Sequence, residues 1–556
     1  MRARIEMIWF LIFIIFLLSC SRRRVITQKI EKEKIKAQLE KLAPVNLTCD
    51  LSSLSPEKVQ VIKLLIKASK HIDDIFLMQV YERNLDILRE LEENKDGDEK
   101  VYLEYFNIMF GPWDRLNSNK PFINSDPKPP GANFYPQDMT KEEFENWIKN
   151  NPDERKQFEN EFTMIRRKGK KLIAVPYSKY FKNKLHQVSD LLREAAGITT
   201  NSSLKNYLYS RAKSLLSNDY YKSDLDWLNL SGDIEIVIGP YEVYEDNLFG
   251  YKAAFESFVC VVDHEESEKL LKIGTYINQL ENNLPIPDKY KNFNRGSLSP
   301  IKVVNEIFNA GDAKAGIQTT AFNLPNDERV REAKGSKKVL LKNVMKAKFE
   351  KCWIPIVNRV LSKEDLKRVS FDGYFNHTLM HEISHGLGPG NIIVNNRKTT
   401  VSKELKELYP VIEECKADVL SIYNALFLIN NNVLPRKLEK TLFPTYLGGM
   451  FRSIRFGIEE AHGGAVAIQM NYLLDKGAFL IGKNGRFSVV DWKVKTAVRD
   501  LAREILLIQA RGDYNGAKRF INKYCNIRAQ VRSALNKLKG IPIDIRPIFP
   551  IEKEIM

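Results

Sequence analysis

Phe375 to His385 reads FNHTLMHEISH and runs straight into Gly386-Leu387-Gly388-Pro389-Gly390. The apolar and polar positions suit a helix, and the Gly/Pro cluster stops it. Inside lies His381-Glu382-Ile383-Ser384-His385, an HExxH motif. Imidazoles at i and i+4 share one helix face a turn apart, so both reach a single Zn2+. Glu382 points to the open side of such an ion, where it can take a proton from water. His377 extends the stripe. Eight residues of helix span about 12 Å, and Zn–N bonds are about 2.1 Å, so one ion cannot bind all three histidines; His377 is read as structural.

A catalytic zinc needs a third protein ligand and a vacant position. Downstream, Val411 to Leu420 reads VIEECKADVL, an amphipathic helix carrying Glu413, Glu414 and Asp418. Glu414 and Asp418 are four apart and share a face. One of them can ligate while the other accepts a hydrogen bond from a ligand histidine. Histidine is scarce: of seven in the chain, four fall between 377 and 462. A surface charge cluster on two core helices is the competing reading, and the spacing and the acidic partner helix speak against it.

These paired motifs resemble the dipeptidyl peptidase III family, peptidase family M49. Glu413-Glu414-Cys415-Lys416-Ala417-Asp418 has the type of the family's second motif, and HExxH is the five-residue form of its first. Glu459-Glu460-Ala461-His462-Gly463 resembles its EAH/QAH segment, Tyr241-Glu242-Val243-Tyr244-Glu245-Asp246 its E-x-Y segment, and Asn323-Leu324-Pro325-Asn326 its N-x-P-N segment. The resemblance implies one Zn2+ held by His381, His385 and Glu414, with Glu382 as general base and Glu413 and Asp418 orienting the histidines. It further implies that His462 and Tyr244 assist at the oxyanion, and that Glu242, Asn323 and Asn326 bind the substrate's amine end. Arg528 and Arg546 are candidates for its far end.

The implied fold is α+β and mostly helical, two lobes around a wide cleft, with a helical zinc lobe facing one built round a small β-barrel. The expected division is 46–262 with 310–340 and 526–556 in the barrel lobe, and 263–309 with 341–525 in the zinc lobe. The implied activity is release of dipeptides from the N-terminus of oligopeptides. A zinc endopeptidase, or a lipid-anchored protein that binds peptides without cutting them, are the alternatives. A REAAG string at Arg193–Gly197 lacks the paired metal-binding glutamates of a Nudix box and is rejected.

Elsewhere, Arg2 and Arg4 precede an apolar run, MIWFLIFIIFLL at 7–18, that is short for a membrane span and suited to a signal peptide. It ends in Leu17-Leu18-Ser19-Cys20, like a bacterial lipobox, so Cys20 is the expected lipidation site and the helix-prone residues 21–45 a basic tether or solvated helix. The expected location is extracytoplasmic, on a membrane anchor. The periodicity predicts helices over 54–107, 339–366 and 405–428, strands at 234–239 and 255–262, and a loop or linker at 111–137.

The net charge of +16 is spread along the chain. No basic run is interleaved with stacking aromatics, so no nucleic-acid partner is expected. The six cysteines contain no CxxC pair, which indicates neither a disulfide scaffold nor a cysteine zinc ribbon. A monomer acting on oligopeptides is the reading.

Overall fold

The computed structural model describes residues 25–94, 97, 99–293 and 300–555. Cys20 and the signal segment before it lie outside them. Among the described residues, no helix is long and apolar enough to cross a membrane. The chain divides into two compact units, and the fold is mostly helical with one principal sheet.

The first unit comprises the described residues up to Gln38, Asp74–Val175 and Val243–Ala254. Helices Asn84–Glu93, Glu99–Met109 and Lys141–Asn150 supply most of its regular structure. The expected loop at 111–137 is mostly irregular, with one short antiparallel pair, Trp113–Asp114 against Lys120–Pro121. The segment 243–254 is pinned by its acids. Glu245 is buried between Arg115 (2.7 Å) and Lys128 (2.6 Å). Asp246 accepts from the Tyr135 hydroxyl and from the backbone N–H groups of Leu248, Phe249, Tyr251 and Lys252. Buried carboxylates satisfied in this way fix a loop that lacks its own ladder.

The second unit comprises Leu39–Asp73, Pro176–Glu242 and Phe255–Met556. Its sheet contains β1 (Ile234–Glu242), β2 (Ala254–Val262), β3 (Ile301–Gly311), β4 (Ala321–Leu324) and β5 (Lys337–Leu341), in the order β1-β2-β3-β5-β4. β3 and β5 are parallel, while β4 runs antiparallel to β5 with Asn323 opposite Lys338. β2 is buried throughout, as a strand covered on both faces must be. Lys337 and Lys338 point to opposite faces by the two-residue period. Lys337 turns inward to Glu235 (2.8 Å) and the Trp227 carbonyl.

One expectation needs correction here. Helix was expected from Val339, but Val339–Leu341 belongs to β5, because this fully buried apolar run is sandwiched between two strands, where ladder pairing outweighs a helical pattern too short to decide. Within residues 21–45 the chain forms the helix Lys32–Leu39, with Ile35 buried. Beyond it, Leu42–Asn46 pairs in parallel with Asp544–Ile548.

After β5 the unit is helical: α1 (Lys342–Lys348), a π-turn at Phe349–Trp353, α2 (Ile354–Val360), α3 (Phe371–Ser384), α4 (Tyr409–Asn430), α5 (Lys437–Ile454), α6 (Ala461–Asp475) and α7 (Asp491–Arg511). Phe375, Leu379 and Ile383 of α3 and Ile412, Val419 and Ile422 of α4 enter one apolar core. Each contributes about 1.5–3 kcal/mol on burial. Gly448 lets α5 approach α2: a Cβ there would stand 2.4 Å from Val357 and 2.6 Å from Trp353.

Candidate metal centre

α3 begins where Ser370 Oγ accepts from the Gly373 N–H (3.0 Å), with Asp372 in the first turn. It ends at His385, past which the glycines turn the chain. Lys416 Nζ crosses from α4 to the carbonyls of His385 (3.2 Å) and Leu387 (3.0 Å), satisfying acceptors the helix end leaves open. α4 starts with Pro410, whose missing N–H costs nothing there.

This packing brings the two motifs together. His381 Nε2 and His385 Nε2 are 3.1 Å apart, and Glu414 Oε2 lies 3.3 Å from the first and 3.8 Å from the second. Ligands about 2.1 Å from a tetrahedral ion are separated by roughly 3.4 Å, so the triangle has the size of a zinc site. Glu414 Oε2 is buried and makes no well-formed hydrogen bond, although three imidazole nitrogens surround it. An orphaned carboxylate oxygen facing ring nitrogens fits a cation.

His462 Nδ1 also approaches Glu414 Oε2, at 3.1 Å, so His381, Glu414 and His462 form an alternative group of convergent ligand atoms. We favour His385 over His462 because the other nitrogen of each HExxH imidazole is held by a carboxylate. His381 Nδ1 meets Asp418 Oδ1 at 2.7 Å, and His385 Nδ1 meets Glu413 Oε1 at 3.0 Å. Those contacts fix the tautomers with both Nε2 lone pairs directed at the ion position. The His462 side chain is 65% exposed.

The carboxylates are themselves anchored. Gln469 Nε2 donates to Asp418 Oδ2 (2.9 Å), and the Tyr446 hydroxyl donates to Gln469. Gln509 Nε2 donates to Glu413 Oε2 (2.8 Å), and Lys416 Nζ lies 2.8 Å from Glu413 Oε1. Burial disfavours an imidazolium at His381, yet Asp418 and Glu414 outweigh it and push its pKa up to about 10. Burial would raise Glu413, but Lys416 and His385 draw it down to about 2. Glu414 is likewise lowered, against burial, by His381 and His462. The pocket attracts positive charge strongly.

Glu382 follows the first imidazole and is paired with Lys338, 2.7 Å from its Oε2. It lines a cavity of about 370 Å3 with His377, His381, Asp418 and His462. His377 is half-buried, its ring against that of Tyr446 at 5.1 Å between centroids. The Gly463 position demands glycine: a Cβ would stand 1.9 Å from the Gly457 carbonyl oxygen, so only glycine lets α6 start where it holds His462.

The remaining expected residues fall in two places. Asn326 Nδ2 donates to the Tyr241 carbonyl (3.0 Å) and its Oδ1 accepts from Arg331 (3.2 Å). Glu242 is raised by burial, with Asn326 and Arg331 lowering it in part. Asn323 is exposed on β4, opposite Lys338. Tyr244 belongs to the first unit and is 78% exposed. Arg528 is tied to Asp475 (2.7 Å), and Arg546 lies on the strand Asp544–Ile548; neither lines the cavity, whereas Arg452 does.

Lys338, Arg452, Gln469 and Gln509 escaped the sequence reading. Gln469 stands seven residues after His462, on the same helix face, which was a usable signal. Lys338 and Arg452 have no motif around them.

Helices that converge two imidazoles and a carboxylate, with a lysine-held glutamate beside them in a cavity, define a metallopeptidase. The Peptidase family M49 model matches residues 137–425. The chain belongs to that family. It is similar to the solved structure of DPP III from Caldithrix abyssi, 55% identical with a TM-score of 0.90, covering 94% of this chain and 100% of that one. It is also similar to dipeptidyl-peptidase III from Corallococcus sp. strain EGB, 41% identical with a TM-score of 0.77, covering 95% and 99%. Among curated proteins it is 37% identical to Nudix hydrolase 3 of Arabidopsis thaliana, over 94% of this chain and 74% of that protein. Here Arg193–Gly197 is part of the helix Lys182–Ile198 and brings no glutamate pair.

Proposed function

We propose that this protein is a zinc-dependent exopeptidase that releases dipeptides from the N-terminus of oligopeptides. The triangle of His381 Nε2, His385 Nε2 and Glu414 Oε2 carries the reading. These three residues would hold the ion. A bound zinc polarises a peptide carbonyl and acidifies water. Glu382 takes the proton from the attacking water and delivers it to the leaving amine. Lys338 keeps that carboxylate in one orientation. His462 stands beside Glu414 as a donor for the developing oxyanion, a role worth a few kcal/mol per donor. The family resemblance assigns Tyr244 the same task, which Tyr244→Phe tests through kcat.

Glu242, Asn323 and Asn326 fix the substrate's free amine. The ends of β1 and β4 support this, because Asn326 binds the backbone next to Glu242, and β5 links Asn323 to the lysine that holds Glu382. The solved relatives titled dipeptidyl peptidase III support the two-residue step. We further propose that Cys20 is lipidated and tethers the enzyme to a bacterial membrane on its extracytoplasmic side, periplasmic or cell-surface, where it acts as a monomer.

Peptides with a free and an acetylated N-terminus, digested and read by mass spectrometry, test the reading. The expected result is dipeptide release from the free peptide alone. Equal cleavage of both marks an endopeptidase, and cleavage of neither by the zinc-loaded protein removes the peptidase reading.

A further inference from the structure

The cavity beside the metal centre has a second charged wall. Arg452 sits near the end of α5, and Thr445, Gly449, Arg452 and Phe456 recur at three- and four-residue spacing along the face that lines the cavity. Among the described residues, no hydrogen bond or ion pair holds the Arg452 guanidinium. Its Nε is buried without an acceptor. Trp353 Nε1, another donor of the same lining, is buried without an acceptor too.

The surroundings make this lack unusual. Lys348 and Arg455 are close enough to act electrostatically on the same groups as Arg452. Lys348 is already paired with Asp544 at 2.8 Å, and Arg455 donates to the carbonyls of Ile541 and Pro542. Of the cavity's acids, Glu382 is committed to Lys338 and Asp418 to His381 and Gln469, while Glu460 is solvent-exposed and forms no ion pair with Arg452. An arginine paired with no carboxylate, beside a second buried donor without an acceptor, is suited to take an anionic ligand.

We propose that Arg452 is a specificity residue that binds a carboxylate of the peptide substrate. The inference rests on the exopeptidase reading above. With the amine end assigned to Glu242, Asn323 and Asn326, the carboxylate comes from elsewhere on the peptide: the α-carboxylate of a short substrate, or an acidic side chain near the cut bond. Both present the planar pair of oxygens that a guanidinium takes in a fork. The enzyme thereby prefers peptides with a negative charge a short distance from the reacting carbonyl.

Three peptides of one length test this on the zinc-loaded enzyme: a neutral sequence with a free C-terminus, the same sequence as its amide, and an amide with Glu just after the scissile bond. Wild type should cleave at least one acid-bearing peptide with kcat/KM about tenfold or more above the neutral amide. Arg452→Gln should remove that preference through KM while leaving the neutral amide unchanged, and Arg452→Lys should restore part of it. Preference for the free terminus identifies the α-carboxylate, and preference for the Glu peptide identifies the side chain. If wild type cuts all three alike, the subsite is overturned even should the variants fail to fold. Loss by the same factor on every peptide in Arg452→Gln also overturns it. Dipeptide release from none overturns the peptidase reading itself, and this inference with it.

Discussion

The Lys338 ammonium stands 2.7 Å from Glu382 Oε2 and 3.3 Å from the Glu382 carbonyl oxygen, so a strand residue clamps the carboxylate beside the metal centre. Such a clamp holds a reacting group in position without touching substrate. Lys338→Met should lower kcat about tenfold, the worth of one charge-assisted hydrogen bond, with KM and bound metal little changed. Lys338→Arg should recover part of the loss. A larger effect on KM than on kcat would show that Lys338 contacts substrate instead.

Glu382 itself carries the heavier penalty. Glu382→Gln keeps the shape and removes the base, so turnover should fall by about 10²–10⁴ while zinc content stays at one per chain. Metal analysis alongside steady-state kinetics checks both halves. A variant that loses zinc as well as activity would make Glu382 a structural element of the site.

Asp418 and Glu413 orient the two imidazoles. Asp418→Asn and Glu413→Gln should each weaken zinc binding about 10–100-fold, measured by competition with a chelator. The two effects should be separable, since each acid serves a different histidine.

Glu306 offers a test of stability against pH, away from the metal. It is fully buried on β3, one of its oxygens has no partner, and burial pushes its pKa up from 4.5 to about 8, with Lys348 opposing in part. A raised carboxyl pKa means that the folded state holds the proton more tightly than the unfolded state. Stability from this group is complete below pH 4.5 and is lost as pH rises through about 8. Glu306→Gln should therefore raise Tm above pH 8, with the advantage shrinking toward pH 4.5. A difference independent of pH would contradict the shift.

Much of the site was legible because helical geometry is local. HExxH and EECKAD state their own spacing, so the facing imidazoles and an acidic helix with Glu414 and Asp418 on one face could be read before any fold was known, while Glu414 as the ligand and Glu413 as an orienting acid came through the resemblance. His462, Asn326 and Glu242 came through resemblance, not through any property of their neighbours. Lys338 and Arg452 could not be read, because each depends on which strand or helix crosses the site. The same limit applies to β5: its five residues carry no period long enough to tell strand from helix, and only burial between β3 and β4 decides. The strand Leu42–Asn46 went unread for a similar reason, since its partner strand lies at the other end of the chain.

The ion position is the claim on which the rest depends, and anomalous diffraction at the zinc edge reads it directly. One peak is expected, about 2.0–2.2 Å from His381 Nε2, His385 Nε2 and a Glu414 oxygen. A peak bonded to His462 in place of His385, or none in crystals grown with zinc, would contradict the account.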